Sequence, residues 1–481
     1  MTAADDGIAM AKRVRDGERT AVELVDSAIK RAKNANATLN AIIEPAYEAA
    51  YAAAEAGVDT LSASPSPLAG VPTLLKDLLT PASGETAYQG NRVLRERDHR
   101  YAQTGAVARR LAQAGMVSLG RTHSPEFGCG NCTAASETEL YGSTRNPWDP
   151  ALTPMGSSGG TAAAVASGIV PIAQASDGGG SIRMPASACG IVGLKPSRGR
   201  VSNAPAGEVW AGGCTQGVLA RTVRDAAAGL DILSGPELGD PYANAIHETL
   251  YSQLGATPTP LRIGVCPQLP FVDTAPACLD AVQDAADLLA QLGHQVERSH
   301  PAALDSVDYL YDYITIIRVS LAAELENLGP VIGRPWQADD MEDGSWVNYS
   351  RGRKVGAMDY ANAREKLHTW TREVLQWWAA GHDVLLMPTL AGPPPQLGYL
   401  VSGNERERTE RLAATIPFTP QFNVTGQPAI SMPLHWTEQG VPIGVQLIAA
   451  PGRDDLLVRL AAQLERARPW AWRTPQIWTM D

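Results

Sequence analysis

Between residues 156 and 183 the chain passes through a glycine-serine loop, a run of very small residues, an apolar stretch and a second glycine-rich loop. The first loop is Gly156-Ser157-Ser158-Gly159-Gly160, and the second is Asp177-Gly178-Gly179-Gly180-Ser181-Ile182-Arg183. Thr161-Ala-Ala-Ala-Val-Ala-Ser167 between them predicts a helix whose side chains allow neighbouring backbone to come close, stopped at Gly168. Ile169-Val-Pro-Ile-Ala173 then predicts a buried strand. A segment this poor in bulk is stable only inside a layered structure, where other elements cover it on both sides.

The same alternation runs on either side. Ala106 to Ala114 reads as a helix ended by Gly115, with Met116–Leu119 a strand after it. Leu261–Val265 reads as a strand, Leu279–Leu292 as a helix ended by Gly293, and Gln295–Glu297 as extended. Residues 306 to about 380 are largely helical: Leu367, Trp370, Val374 and Trp378 recur at helical spacing, and Gly381 closes the run. Asp383–Met387 is a strand and Asp455–Glu465 a last helix. The fold class is therefore α/β, a single large mixed sheet covered by helices on both faces. Residues 1–64 form an N-terminal segment read as helical, with a capping box at Thr20-Ala-Val-Glu23. The Ser62–Pro67 punctuation leads into the main domain, 65–481. Residues 236–260 read as loop, and about 236–380 is poor in motifs.

A net charge of −11 argues against a nucleic-acid partner, which would need clustered Lys and Arg. The acidic start carries no basic-then-apolar leader, and no apolar run reaches membrane-spanning length. The expectation is a cytoplasmic protein with no membrane partner. Six cysteines are few for 481 residues. Cys129-Gly-Asn-Cys132 lacks the second half of a zinc set, so no metal and no cofactor are expected.

Chemistry concentrates in the two loops and in Lys76, the last residue of the apolar stretch Val71-Pro-Thr-Leu-Leu75. A serine hydroxyl needs a base before it attacks a carbonyl. No histidine stands in these segments, and lysine serves only if burial brings it down from about 10.4. Asp77 opposes this unless strand alternation turns it away. Three glycines before Ser181 let consecutive N–H groups converge on one oxygen. Asp177 and Arg183 flank the loop and are suited to pin it as an ion pair.

Gly-Val-Pro-x-x-x-Lys-Asp, Gly-Ser-Ser-Gly-Gly and Asp-x-Gly-Gly-Ser-Ile-Arg at these separations resemble the amidase signature family. The likeness continues through Pro185–Pro196, Asn423–Pro433 and Gly440–Leu447. The resemblance implies Ser181 as nucleophile, Lys76 as base and Ser157 as bridging serine beside a cis peptide bond. It implies an oxyanion hole at Gly178, Gly179, Gly180 and Ser181, with Ser176, Asp177 and Arg183 in support. It further implies hydrolysis of amides, with esters and carbamates as relatives, on a small-molecule substrate, and is compatible with a homodimer. The pocket is expected at Phe127, Gly128, Cys129, Trp210, Ile317 and Trp336, with Trp346 as a further candidate. Gly178 and His123-Ser124 depart from the common family pattern.

Two other readings compete. Within the family, the chain would be the glutamine-hydrolysing subunit of a tRNA-dependent amidotransferase. Outside it, Gly156-x-Ser158-x-Gly160 matches an α/β-hydrolase elbow with Ser158 as nucleophile, which demands a strand leading in and a catalytic histidine such as His382 or His435.

Overall fold

The computed structural model describes residues 5–57, 65–244 and 249–478. Ser62–Ser64 of the expected boundary, and 245–248 of the expected loop, lie outside the described residues. The strands are β1 (Ile42–Pro45), β2 (Pro72–Lys76), β3 (Val117–Thr122), β4 (Glu137–Thr138), β5 (Gly142–Ser143), β6 (Ile172–Asp177), β7 (Val192–Lys195) and β8 (Thr215–Ala220). They continue with β9 (Arg262–Val265), β10 (Gln295–Arg298), β11 (Val384–Pro388), β12 (Ala429–Trp436) and β13 (Pro442–Ala449).

Eight strands form one mixed sheet in the order β10-β9-β11-β13-β12-β7-β8-β6. The β10-β9-β11 end is parallel and the remaining pairs are antiparallel. Alternation along the strands shows that both faces are covered. In β11, Val384 and Leu386 join the apolar cluster of helices 223–233, 276–291 and 454–467, while Leu385 and Met387 join the one containing Val374, Trp378 and Phe422. In β8, Val218 and Ala220 face the first cluster, whereas Leu219 packs among the alanines of helix Gly159–Ala166. Side chains that alternate with period two, each into a different core, require a sheet between two helical layers.

A second sheet, β1-β3-β2, lies beside the first. It corrects the reading of the N-terminal segment: the Thr20–Glu23 capping box opens helix Ala21–Leu39 and a further helix covers Tyr47–Ala56, but Ile42–Pro45 between them pairs with β3 as a strand. Helical periodicity on either side of a four-residue strand hides it. The strand expected from Ile169 starts at Ile172, because Ile169 and Val170 are buried in the turn after Gly168. Side chains tie the small sheet to the large one: Thr73 Oγ1 donates to Ile172 O at 3.0 Å and the Lys76 amide to Gln174 Oε1 at 2.9 Å. These bonds lay β2 alongside β6 and bring Lys76 level with Ser176.

Candidate active site

Lys76 ends β2 completely buried. Its Nζ lies 2.7 Å from Ser157 Oγ and 2.9 Å from Ser176 Oγ. Burial pushes the ammonium down to about 7, with Cys214 and Asp177 opposing. Asp77 faces elsewhere: its carboxylate accepts from the Gly90 amide at 3.2 Å, and burial pushes it up to about 7 although the Arg121 charge opposes this. Arg121 in turn donates to the Lys76 carbonyl at 3.2 Å and to Thr80 O at 2.6 Å, fixing the strand end. The Gly156–Ser157 peptide is cis.

Ser181 and Ser157 line one narrow cavity, together with Ser176 and Gly178. The loop between Asp177 and Ser181 is held from outside. Tyr313 donates its hydroxyl to the Gly178 carbonyl at 2.5 Å, and Thr419 Oγ1 donates to the Gly179 carbonyl at 2.7 Å. With both carbonyls turned outward, no acceptor among the described residues takes the N–H of Gly178, Gly179 or Ser181. The Gly180 N–H is different, since it donates to Asp177 Oδ1 at 2.7 Å. This corrects the expectation that all four amides face one oxygen: Gly180 serves the loop itself. Its φ of +122° and its contact with Thr419 explain the glycine there. At Gly178 a Cβ would stand 2.6 Å from Cys214 Sγ and 2.7 Å from the Trp210 ring, so packing Trp210 and Cys214 against the loop requires glycine there.

Asp177 and Arg183 form a fully buried pair, with Arg183 Nε and Nη2 each 3.0 Å from the carboxylate. Burial raises the Asp177 carboxyl, but the Arg183 guanidinium, Lys195 and Asn423 more than offset this and hold it well below the usual range. Asn423 donates to Asp177 Oδ1 at 2.8 Å and to Gly213 O at 3.0 Å, while Gln446 Oε1 accepts from Arg183 at 3.1 Å. These two residues stand in the two C-terminal family motifs, whose role is thus to lock the glycine loop.

Of the residues named for the pocket, Phe127, Gly128 and Trp210 line the cavity, and Cys129, Ile317 and Trp336 do not. Cys129 is buried with Leu321, Leu325 and Trp336, and its thiol is pushed up to about 12 by burial. Trp336 meets Phe127 edge-on at 5.7 Å and donates its indole N–H to Leu325 O at 2.7 Å, so it backs the wall. Ile317 packs between that cluster and the one around Tyr313, and Trp346 leans on Tyr349. Residues lining the cavity that the sequence did not single out are Leu78, Leu79, Val209, Cys214 and Glu324. Leu78 and Leu79 follow Lys76-Asp77 directly, which was the available signal.

Ser158 donates to the Ser176 carbonyl at 3.2 Å, and only an isolated bridge at Leu152 precedes its loop. His435 pairs with Asp284, and His382 stacks on Trp377, so neither meets Ser158. His123, between Thr138 and Thr144 hydroxyls at 2.9 and 2.8 Å, is pushed down to about 3 by burial and is a neutral strut.

Fold and relatives define a hydrolase of carbon–nitrogen bonds in amides. The chain belongs to the amidase family, whose model, described as Amidase, matches residues 23–458. It is 40% identical to the 6-aminohexanoate-cyclic-dimer hydrolase of Pseudomonas sp. (strain NK87), over 98% of this chain and 96% of that one. The solved structure of 6-aminohexanoate cyclic dimer hydrolase complexed with substrate superposes with a TM-score of 0.94 at 38% identity, covering 100% of both chains. A bacterial aryl acylamidase of the same family superposes with a TM-score of 0.85 at 26% identity, covering 97% of each. The likeness spans the motif-poor region 236–380 as well as the loops. Among the described residues no helix is long and apolar enough to cross a membrane.

Proposed function

We propose that the chain hydrolyses amides through Lys76, Ser157 and Ser181 by way of an acyl-enzyme. The observation that carries this is the buried Lys76 amine 2.7 Å from Ser157 Oγ, inside a cavity that Ser157 shares with Ser181. Neutral Lys76 takes the Ser157 hydroxyl proton as Ser157 takes the proton of Ser181. The Ser181 oxygen then bonds to the substrate carbonyl carbon. Negative charge on the carbonyl oxygen is received by the free amides at 178, 179 and 181; a single such donor is worth about 3 kcal/mol. When the tetrahedral species collapses, the carbon–nitrogen bond breaks and Ser157 hands its proton to the departing amine. Lys76, protonated in the first half, returns that proton to Ser157. Water repeats the sequence on the ester, releasing the acid and restoring Ser181.

Leu78, Leu79, Phe127, Val209 and Trp210 give the cavity apolar walls. This favours amides with apolar bodies, linear or cyclic, as the relatives' names suggest, with aryl carbamates and esters as secondary substrates. The test is amine release from a panel containing a short aliphatic amide, an aryl acylamide, 6-aminohexanoate cyclic dimer, a peptide amide, glutamine and an aryl carbamate. Turnover of the bulky amides, lost in Ser181→Ala, is the expected result. Activity confined to glutamine would replace this reading with the amidotransferase one.

A further inference from the structure

Apart from the Cys214 thiol, which burial holds well above its usual range, the cavity contains one ionisable group for which the proposed chemistry has no use. Glu324 lines it beside Ser157, Ser181 and Trp210. It is carried by helix Asp308–Ile332, where Tyr313, Ile317, Leu321 and Glu324 follow one another at steps of four, four and three and so share a face. The first three members are packed: Tyr313 on the Gly178 carbonyl, Ile317 and Leu321 in the cluster behind Phe127. The fourth is the one carboxyl in a cavity whose other lining is leucine, valine, aromatic rings, glycine, the Cys214 thiol and serine hydroxyls. None of the ion pairs among the described residues includes it. Burial pushes it up to about 7, and a side-chain bond from Gln89 offsets only part of this. A carboxyl half-withdrawn from water with no cation to face is costly, unless a ligand supplies the missing partner.

Resting on the reading above, we propose that Glu324 is the polar anchor of the substrate pocket, binding a second nitrogen of the substrate through its N–H, either an ammonium or a further amide. The Trp210 ring in the same cavity favours the same ligand, because its face attracts positive charge. The scissile carbonyl is held at the glycine loop, so a group bound at Glu324 fixes which bond of a longer molecule lies over Ser181. An amide with only one nitrogen leaves the carboxyl unsatisfied and binds less well.

The test compares matched substrates. On the acyl side these are the p-nitroanilides of 6-aminohexanoic, 6-acetamidohexanoic and heptanoic acids. On the amine side they are N-acetyl-1,6-hexanediamine and N-heptylacetamide. Each is measured with the full chain, Glu324→Gln and Glu324→Leu, with thermal melting to show that the variants fold. The wild type is expected to favour a nitrogen-bearing member over its methyl counterpart in kcat/KM by about tenfold, on whichever side of the scissile bond faces Glu324. Glu324→Gln should lose the preference for the ammonium compounds and keep that for the acetamido compound. Glu324→Leu should lose both while still cleaving the methyl compounds. A wild type without preference on either side, or a preference unchanged in Glu324→Leu, overturns the anchor while leaving amide hydrolysis intact. Hydrolysis of the heptanoyl anilide reads the amidase reading separately.

Discussion

The glycine loops at 156–183 and the helical region at 306–380 meet at one cavity but are built on opposite principles. In the loops the carboxylate and carbonyls are committed so that, among the described residues, the 178, 179 and 181 amides stay free: Asp177 to Arg183, Asn423 and two amides, the 178 and 179 carbonyls to Tyr313 and Thr419. The helical region meets the cavity with side chains on one face, and most of its bulk, including Trp336 and Ile317, stands behind the wall. The first arrangement holds reacting atoms at fixed distances. The second sets only the volume and polarity that a substrate meets. Changes in the loops should therefore strike turnover, and changes in the wall should strike selectivity.

The largest effect should come from Ser181→Ala, which is expected to lower kcat/KM by about four orders of magnitude or more without shifting the melting temperature appreciably. Amine release with a circular-dichroism melt decides it, and retained turnover would break the contrast at its strongest point. Lys76→Ala should cost about three orders of magnitude. The wild type should also show kcat/KM rising with pH up to about 7 and then levelling, since the lysine acts only when neutral and titrates near there. The folded protein releases this proton at about 7, whereas an unfolded lysine holds it to 10.5, so the lysine's contribution makes stability rise with pH across that window. A denaturation series from pH 7 to 10 should lose that slope in Lys76→Met.

Much of this contrast is legible in the sequence. Lysine, serine and glycine at fixed separations report the loops because backbone approach and proton transfer leave few alternatives at Lys76, Ser157 or Gly180. The wall is not legible in the same way. Phe127 in Pro-Glu-Phe-Gly and Trp336 in Arg-Pro-Trp-Gln are both lone aromatic residues among polar neighbours, and nothing in those neighbours tells which faces the cavity and which backs the other. Glu324 is hidden by its own helix, where an acidic residue at that spacing reads as a solvated face. The strand at Ile42–Pro45 escaped because four residues between two helices leave no room for a period to show. Tyr313 pins a carbonyl far away in sequence, and only the tertiary structure reveals that bond.

Two smaller effects sharpen the comparison. Tyr313→Phe frees the Gly178 carbonyl and should lower kcat about fivefold, with a stability loss of about 1 kcal/mol. A change in KM alone would assign Tyr313 to the wall instead of the loop. Phe127→Leu should move KM about threefold between aryl and alkyl amides and leave kcat for the preferred class nearly unchanged. Steady-state kinetics on one aryl and one alkyl substrate separate the two.

Ser157, the hydrogen-bond partner of Lys76, stands two residues ahead of helix Gly159–Ala166, which has nothing larger than a valine or threonine in it. A Cβ at Gly160 would come to 2.6 Å from Ala41 O and 2.9 Å from His123 O, and one at Gly159 to 2.5 Å from Ser136 Oγ. In a machinist's sense the start of this helix is a seat: how closely it beds against Ala41, His123 and Ser136 sets where Ser157 stands. A carbon added at either glycine would displace that seat by about several tenths of an ångström, roughly the whole tolerance of the hydrogen bonds in the relay. The pocket wall can therefore be exchanged without touching the relay, while the seat of Ser157 has no room to thicken.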